Sequence, residues 1–215
     1  MGYDAILGPA DLLAGRPFTD PENTRREAEV MRAMLERERE RARVWLGADH
    51  RSSRGQVVRE QDGGRGRQLL VVPDTRALVG ARDVTAIGFF GRPREDLDHA
   101  ILFHLEEELV GRMADYADAG LLSYYDLEFV KGAYGNLILF STPDVPEEWH
   151  TDPVHQQAVE ISPRHYYDVR LHKGSIAGRL LDEGDIVIQR TKYFDFTGPS
   201  CWQGLRQFRT DTSAK

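Results

Sequence analysis

The stretch SYYDLEFVKGAYGNLILF, residues 123–140, decides the fold. In residues 123–131 Tyr124, Asp126 and Glu128 alternate with mainly apolar neighbours, which is the period of a half-buried β-strand. The segment GAYG that follows is a turn, and NLILF at 136–140 is an apolar run of strand length. We therefore predict two antiparallel strands joined by a short hairpin.

The segments on either side of this hairpin predict a repeated strand and helix order. Upstream, residues 84–90 have strand character, and residues 97–119 form a helix whose predicted core face is Ile101, Leu102, Leu105, Leu109, Met113 and Tyr116. Downstream, residues 147 onward form a second helix and residues 185–196 a last strand, with VRLHKGS at 169–175 as a candidate extra edge strand. This β-α-β-β-α-β order predicts an α+β, ferredoxin-like domain over residues 81–198.

The first 80 residues form an N-terminal extension to that domain. A helix over residues 20–46 begins either with a capping box from Thr19 to Glu22 or with Asp20 as the cap before a proline. Residues 48–67 are glycine-rich and charged, so we predict a mobile loop there, which is either a lid or disordered. A short strand at 68–73 follows, and residues 199–215 are predicted to be a tail.

One face of such an antiparallel sheet has no helices and must be covered. The second helix carries Trp149, Asp152, Pro153, His155 and Ala158 in the order W…DP.H…A. In this motif and in strand order, residues 83–196 resemble the dimeric α+β barrel superfamily, which includes antibiotic-biosynthesis monooxygenase-like proteins, polyketide cyclases and haem-handling members. The resemblance implies a homodimer whose two sheets close a barrel. The alternative for a monomer is that residues 1–80, which have no counterpart in the minimal domain, cover the open face.

Composition excludes several classes of partner. The formal charge of -7, with a pI near 5.5, makes the protein repel the phosphate backbone of nucleic acids. No basic run with interleaved aromatic residues is present. No stretch approaches the ~18 apolar residues of a membrane span, and the N-terminus lacks a basic leader. With Cys201 as the single cysteine, we expect a cytoplasmic protein without disulfides.

Four of the seven histidines, His150, His155, His165 and His172, lie between residues 147 and 174. The spacings of five and seven within the pairs 150/155 and 165/172 do not make a helical clamp, so no metal site is expected. The resemblance implies a different use, in which His155 or His165 is the proximal ligand of a haem. The alternative for each is an ordinary surface or helix-terminal histidine, so the cofactor is either haem or none.

The resemblance implies an oxygenase or cyclase of natural-product metabolism that acts on an aromatic or polyketide-like molecule between the sheet and the second helix. The expected substrate contacts are Trp149, Tyr134, Tyr166, His150 and His172. The expected catalytic groups are Asn136 or Arg170, which polarise an oxygen, and His155 or His165, which moves a proton. The alternatives are a haem-dependent barrel enzyme and a non-catalytic barrel that binds a small ligand.

Overall fold

A computed structural model describes residues 2–47, 54–62, 66–95, 97–98, 100–128 and 134–208. Within these ranges nine strands form one sheet, with five α-helices. The elements are β1 (Ala5–Leu7), α1 (Pro21–Gly47), β2 (Arg54–Asp62), β3 (Gly66–Asp74), α2 (Thr75–Gly80), β4 (Arg82–Pro93), α3 (Ala100–Arg112), β5 (Leu121–Glu128), β6 (Tyr134–Phe140), α4 (Glu147–Thr151), α5 (Pro153–His165), β7 (Tyr166–Arg179), β8 (Val187–Asp195) and β9 (Trp202–Gln207). None of the described helices is long and apolar enough to cross a membrane.

The sheet has the order β1-β9-β8-β7-β4-β6-β5-β3-β2, and every neighbouring pair is antiparallel except β1 and β9. The α+β class is therefore confirmed. The hairpin predicted from residues 123–140 is present as β5 and β6, although residues 129–133 lie outside the described ranges.

Both strands predicted after the second helix, at 169–175 and 185–196, are present, but the first was predicted at the wrong position in the sheet. The segment at 169–175 belongs to β7, a 14-residue strand that pairs with β4 on one side and β8 on the other, and is not an edge strand. Its inward positions hold Asp168 and His172, which are fully buried. The apolar alternation that marks a buried strand is thus missing from the sequence.

The sheet face predicted to need a second copy is covered by α1 of the same chain. Met31, Met34 and Leu35 of α1 are at most 1% exposed and join a core with Leu137 and Leu139 of β6. Asp20 accepts a hydrogen bond from the Glu22 backbone N–H at 2.9 Å, so the second of the two predicted helix starts is confirmed. Because α1 buries this face, the physical reason for a dimer through it no longer holds.

The opposite face is covered by α3, α4 and α5. Leu105 and Leu109 of α3 pack in a second core with Trp149 and Val154. Ile101, predicted for the same helix face, lies in the first turn of α3 and is 42% exposed.

Two further segments differ from the predictions. Residues 54–62, inside the predicted mobile loop, form β2 and pair with β3. The strand lies at the edge of the sheet, where charged residues are common, and its composition therefore resembles that of a loop. Residues 202–207 of the predicted tail form β9, which lies between β8 and β1. Residues 48–53, 63–65 and 209–215 lie outside the described ranges.

Candidate functional site

A group of charged and polar side chains lies between α3 and the sheet. We call it the carboxyl cluster: Arg67 of β3, Glu106 of α3, Asp126 and Glu128 of β5, and Asn136 of β6. Strand alternation places these side chains on the α3 face, and register puts Asp126 directly opposite Asn136. The neighbouring residues Gln68 and Tyr125 point to the α1 face instead, where Tyr125 joins the core under α1.

Asn136 fixes the Asp126 carboxylate. Its side-chain amide donates one hydrogen bond to Asp126 Oδ1 at 2.6 Å and another to the Tyr124 hydroxyl at 2.9 Å. Since both amide hydrogens are used, Asn136 has none left to polarise a substrate oxygen. Its place in the cluster is that of a positioning residue.

Arg67 is the cation of the cluster. It forms an ion pair with Glu106, and its guanidinium lies 3.9 Å from Asp126 Oδ2 and 3.8 Å from Glu128 Oε2. The guanidinium carbon also lies 4.8 Å from the ring centre of Phe103, within cation–π distance. One positive charge therefore faces three carboxyl groups.

Asp126 is the most perturbed acid of the cluster. Burial raises the pKa of its carboxyl well above the ordinary 3.8, the charge of Glu106 raises it further, and Arg67 and Asn136 oppose the shift. Its Oδ2 is buried without a hydrogen-bond donor among the described groups. The raised pKa favours the protonated form of the Asp126 carboxyl beside the charge of Glu106.

Two tyrosines border the cluster. Burial, followed by the charges of Glu128 and Asp126, raises the pKa of Tyr134 to about 12. Burial likewise raises the pKa of Tyr166, which packs edge-on against Phe89 with ring centres 5.6 Å apart. Both hydroxyls therefore stay protonated near neutral pH and can act as hydrogen-bond donors.

The cluster is open at its rim and closed at its base. The side chains of Arg67 and Glu128 are 28% and 29% exposed, whereas those of Glu106 and Asp126 are 12% and 4% exposed. Tyr134 and Asn136 are half-buried. A small molecule that contacts Arg67 and Tyr134 from solvent would thus lie above the acid pair.

Trp149, His150 and His155 form a separate group at the junction of α4 and α5. Trp149 is only 4% exposed and packs edge-on against Tyr116 and Phe140, so it is a core residue in this fold. The His155 ring centre lies 5.4 Å from Trp149 and 6.4 Å from His150. Burial, then the charge of His150, lowers the pKa of His155.

The two predicted haem ligands lie on α5, where the His155 side chain is half-buried and the His165 side chain is buried. His155 Nδ1 is buried with its ring against Trp149, and His165 at the end of α5 is 8% exposed. Among the described residues there is also no group of three or more His, Cys, Asp or Glu side chains that could hold a metal ion.

Arg170 and His172 lie on the α1 face, away from Asn136. Arg170 pairs with Glu27 at 2.6 Å and with Asp168, and Asp168 pairs with Arg92 at 2.7 Å. His172 has a nitrogen 2.8 Å from Glu27 and the other 2.8 Å from the Thr191 hydroxyl. We call this set, Glu27, Arg92, Asp168, Arg170, His172 and Thr191, the ionic network.

Of the nine residues predicted to form the site, the structure brings Asn136, Tyr134 and Tyr166 together. The acid pair and Arg67 were not among the predictions. Asp126 stands on the polar side of the alternation in residues 123–131, which is a usable signal. Arg67 fell in the predicted mobile loop and Glu106 in a run of three glutamates, and neither context distinguishes a buried site from a solvated surface.

No family model, no curated protein and no solved structure matches this chain.

Proposed function

We propose that the protein is an enzyme of the oxygenase or cyclase type that binds a planar, hydroxylated aromatic or polyketide-like molecule at the carboxyl cluster. The observation that carries the proposal is that Glu106 and Asp126, the two most buried acids of the cluster, both lie against Arg67; the raised pKa of Asp126 supports it. Perturbed acids in a recess accessible to solvent are typical of proton-transfer sites.

The topology is compatible with the proposed relation to ferredoxin-like barrels. Strands β7, β4, β6 and β5 are neighbours in that order, with α3 between β4 and β5 and with α4 and α5 between β6 and β7. This is the strand order of a split β-α-β unit. In this proposal the ligand lies between the sheet and α3, and a closed barrel made by two copies is not needed.

Each group of the cluster has a role in the proposed reaction. The ionised member of the acid pair accepts a proton from a carbon next to a carbonyl, and Asn136 holds Asp126 in place. Arg67 stabilises the resulting oxyanion, because its guanidinium is charged and partly shielded from water. The rings of Phe103 and Tyr134, with centres 6.0 Å apart, form the aromatic wall.

The chemistry balances with dioxygen as the co-substrate. Removal of a proton from the CH₂ group of an anthrone breaks a C–H bond and leaves its electron pair in the enolate. The enolate reduces dioxygen and forms a carbon–oxygen bond, and the protonated hydroperoxide loses water to give the quinone. The overall change is CH₂ plus O₂ to C=O plus H₂O, and the substrate is oxidised while dioxygen is reduced.

A panel of anthrones and polyhydroxynaphthalenes tests the proposal through oxygen uptake and product absorbance. We expect turnover by the wild type and a loss of about 10²-fold or more in Asp126→Asn and in Glu106→Gln, because each change removes one carboxyl of the acid pair. The matched control is Glu22→Gln, an exposed acid at the start of α1, which keeps full activity.

Two outcomes separate the alternatives. Binding of a panel member without oxygen uptake in any variant contradicts the enzymatic proposal and favours a ligand-binding protein. A Soret band after haem addition that is lost in His155→Ala or His165→Ala contradicts the placement of the site at the carboxyl cluster.

A further inference from the structure

A recess lies on the other side of the sheet from the carboxyl cluster, along the flank of α1. It is a cleft of about 540 Å³, lined by Arg37, Glu40, Arg41, Val58, Glu60, Gln68, Leu70 and Tyr125. Small-molecule sites in proteins commonly have volumes of about 300–1,000 Å³. The cleft shares no lining residue with the carboxyl cluster.

The floor of the cleft is an apolar strip across three strands, formed by the half-buried Val58 and the buried Leu70 and Tyr125. Register pairs Val58 of β2 with Leu70 of β3, and Leu70 with Tyr125 of β5. The three side chains stand side by side on one face, and the Tyr125 ring is buried. Such a strip fits the face of a planar ring.

The polar groups of the cleft leave one cation free of a carboxylate partner. Arg41 pairs with Glu60 across the opening. Arg37 donates to the neutral amide oxygen of Gln68 at 2.8 Å, and the Tyr125 hydroxyl donates to the same oxygen at 2.7 Å. Within the described part of the chain, Arg37 has no carboxylate at ion-pair distance, and Glu40 has no basic partner.

We propose that this cleft binds a small planar monocarboxylic acid with a hydroxyl group, of the hydroxybenzoate class. The carboxylate pairs with Arg37, the ring lies on the strip formed by Val58, Leu70 and Tyr125, and the hydroxyl donates to Glu40. Two carboxylates against two guanidiniums give the lining no net charge, so a multiply charged phosphate is disfavoured.

The cleft and the carboxyl cluster lie back to back on the same strands. Gln68 and Tyr125 of the cleft are the chain neighbours of Arg67 and Asp126 of the carboxyl cluster, on opposite faces of β3 and β5. The proposal does not rest on the proposed function, because it concerns binding alone. Tyr125 and Asp126 are consecutive residues of β5 with side chains on opposite faces, so variants at these two positions test the two faces separately.

Isothermal titration calorimetry of the full chain with 4-hydroxybenzoate tests the proposal. We expect saturable one-to-one binding that is weakened about tenfold or more in Arg37→Gln, since a charge-assisted contact is lost. Tyr125→Phe and Glu40→Gln weaken it by smaller factors. The neutral analogue 4-hydroxybenzyl alcohol and inorganic phosphate bind much more weakly than 4-hydroxybenzoate.

Two control variants locate the ligand. Arg26→Gln, an exposed arginine near the start of α1, and Asp126→Asn, on the other face of β5, keep wild-type affinity. Binding lost in Asp126→Asn, binding unchanged in a folded Arg37→Gln protein, or no heat of binding at millimolar 4-hydroxybenzoate would each overturn the proposal.

Discussion

Both faces of the sheet contain ionisable side chains, but the two faces differ in how completely these side chains are paired. On the α1 face the ionic network is closed, and each of its charged groups meets an oppositely charged group or a hydrogen-bonding partner. On the α3 face the carboxyl cluster has three acids and one arginine, an acid oxygen without a donor, and an opening to solvent.

This difference shows why burial alone does not identify a functional site. His172 and Asp168 are fully buried, yet their partners account for their presence structurally. Asp126 is nearly as buried and is left with a raised pKa and an unused oxygen.

The exception on the α1 face is Glu38, which has zero exposure and no hydrogen-bond partner for either carboxyl oxygen among the described groups.

The largest effect is expected from breaking the ionic network. Asp168→Ala leaves Arg170 and Arg92 without their shared acid, and should lower the free energy of unfolding by about 3–5 kcal/mol, as for other buried pairs. Urea denaturation at pH 7 measures the change. The control is Asp185→Ala, which breaks a half-exposed pair with Arg32 and should cost about 0–1 kcal/mol. Equal losses in the two variants would show that the network is not structural.

Glu38 provides a pH-dependent test of the same face. Burial raises the pKa of Glu38 from 4.5 to about 7, so the folded state retains a proton that the unfolded state releases. Its effect on stability is absent below pH 4.5, and stability falls between pH 4.5 and about 7 by about 3 kcal/mol in total. We expect Glu38→Gln to lose this pH dependence, measured by thermal unfolding from pH 4 to 8. Exposed Glu29→Gln serves as the control, and identical pH profiles for Glu38→Gln and wild type would contradict the assignment.

Close packing at the edge of the carboxyl cluster should have a smaller effect. A Cβ atom at Gly91 would lie 2.4 Å from the Tyr166 ring. Gly91→Ala should therefore displace Tyr166 and cost about 1–3 kcal/mol of stability, measured by urea denaturation. Gly111→Ala in α3 meets no atom within 4 Å and should stabilise the helix slightly. An unchanged midpoint for Gly91→Ala would mean that Tyr166 does not pack against β4 as described.

The smallest stability change is expected at the acid pair itself. Asparagine keeps the shape of the Asp126 side chain and removes a charge that burial disfavours, so Asp126→Asn should change the unfolding free energy at pH 7 by less than about 1 kcal/mol. Asp168→Asn removes a charge that two arginines require and should destabilise the protein much more. Denaturation of both variants under the same conditions compares the two faces directly, and a large loss in Asp126→Asn would place Asp126 in a structural network.

The elements with regular periodicity could be predicted from the sequence. The long helix α1, the β5–β6 hairpin and strand β3 follow from helical spacing, alternation and an apolar run. The edge strand β2 and the central strand β7 could not be predicted in the same way. Charges on β2 are solvated at the sheet edge, and the buried charges of β7 are neutralised by α1 and β4, which are distant in sequence.

The candidate site was predictable only in part for the same reason. The sequence pointed to Tyr134, Tyr166 and Asn136 because they are aromatic or lie in a predicted strand. Asp126 and Glu106 come together only because α3 packs over β5. The motif that begins at Trp149 led to the prediction of a site at α4 and α5. In the structure Asp152 caps α5 by accepting hydrogen bonds from the Val154 and His155 backbone N–H groups. Helix capping thus explains this motif without a ligand.

Titration of the Asp126 carboxyl carbon by NMR, with ¹³C-labelled aspartate and with Asp126→Asn to assign the signal, tests the central claim directly. We expect one aspartate resonance, missing in Asp126→Asn, that titrates well above the ordinary value of 3.8. An Asp126 signal that titrates at or below the ordinary value of 3.8 would contradict the raised pKa on which the carboxyl cluster was chosen as the site.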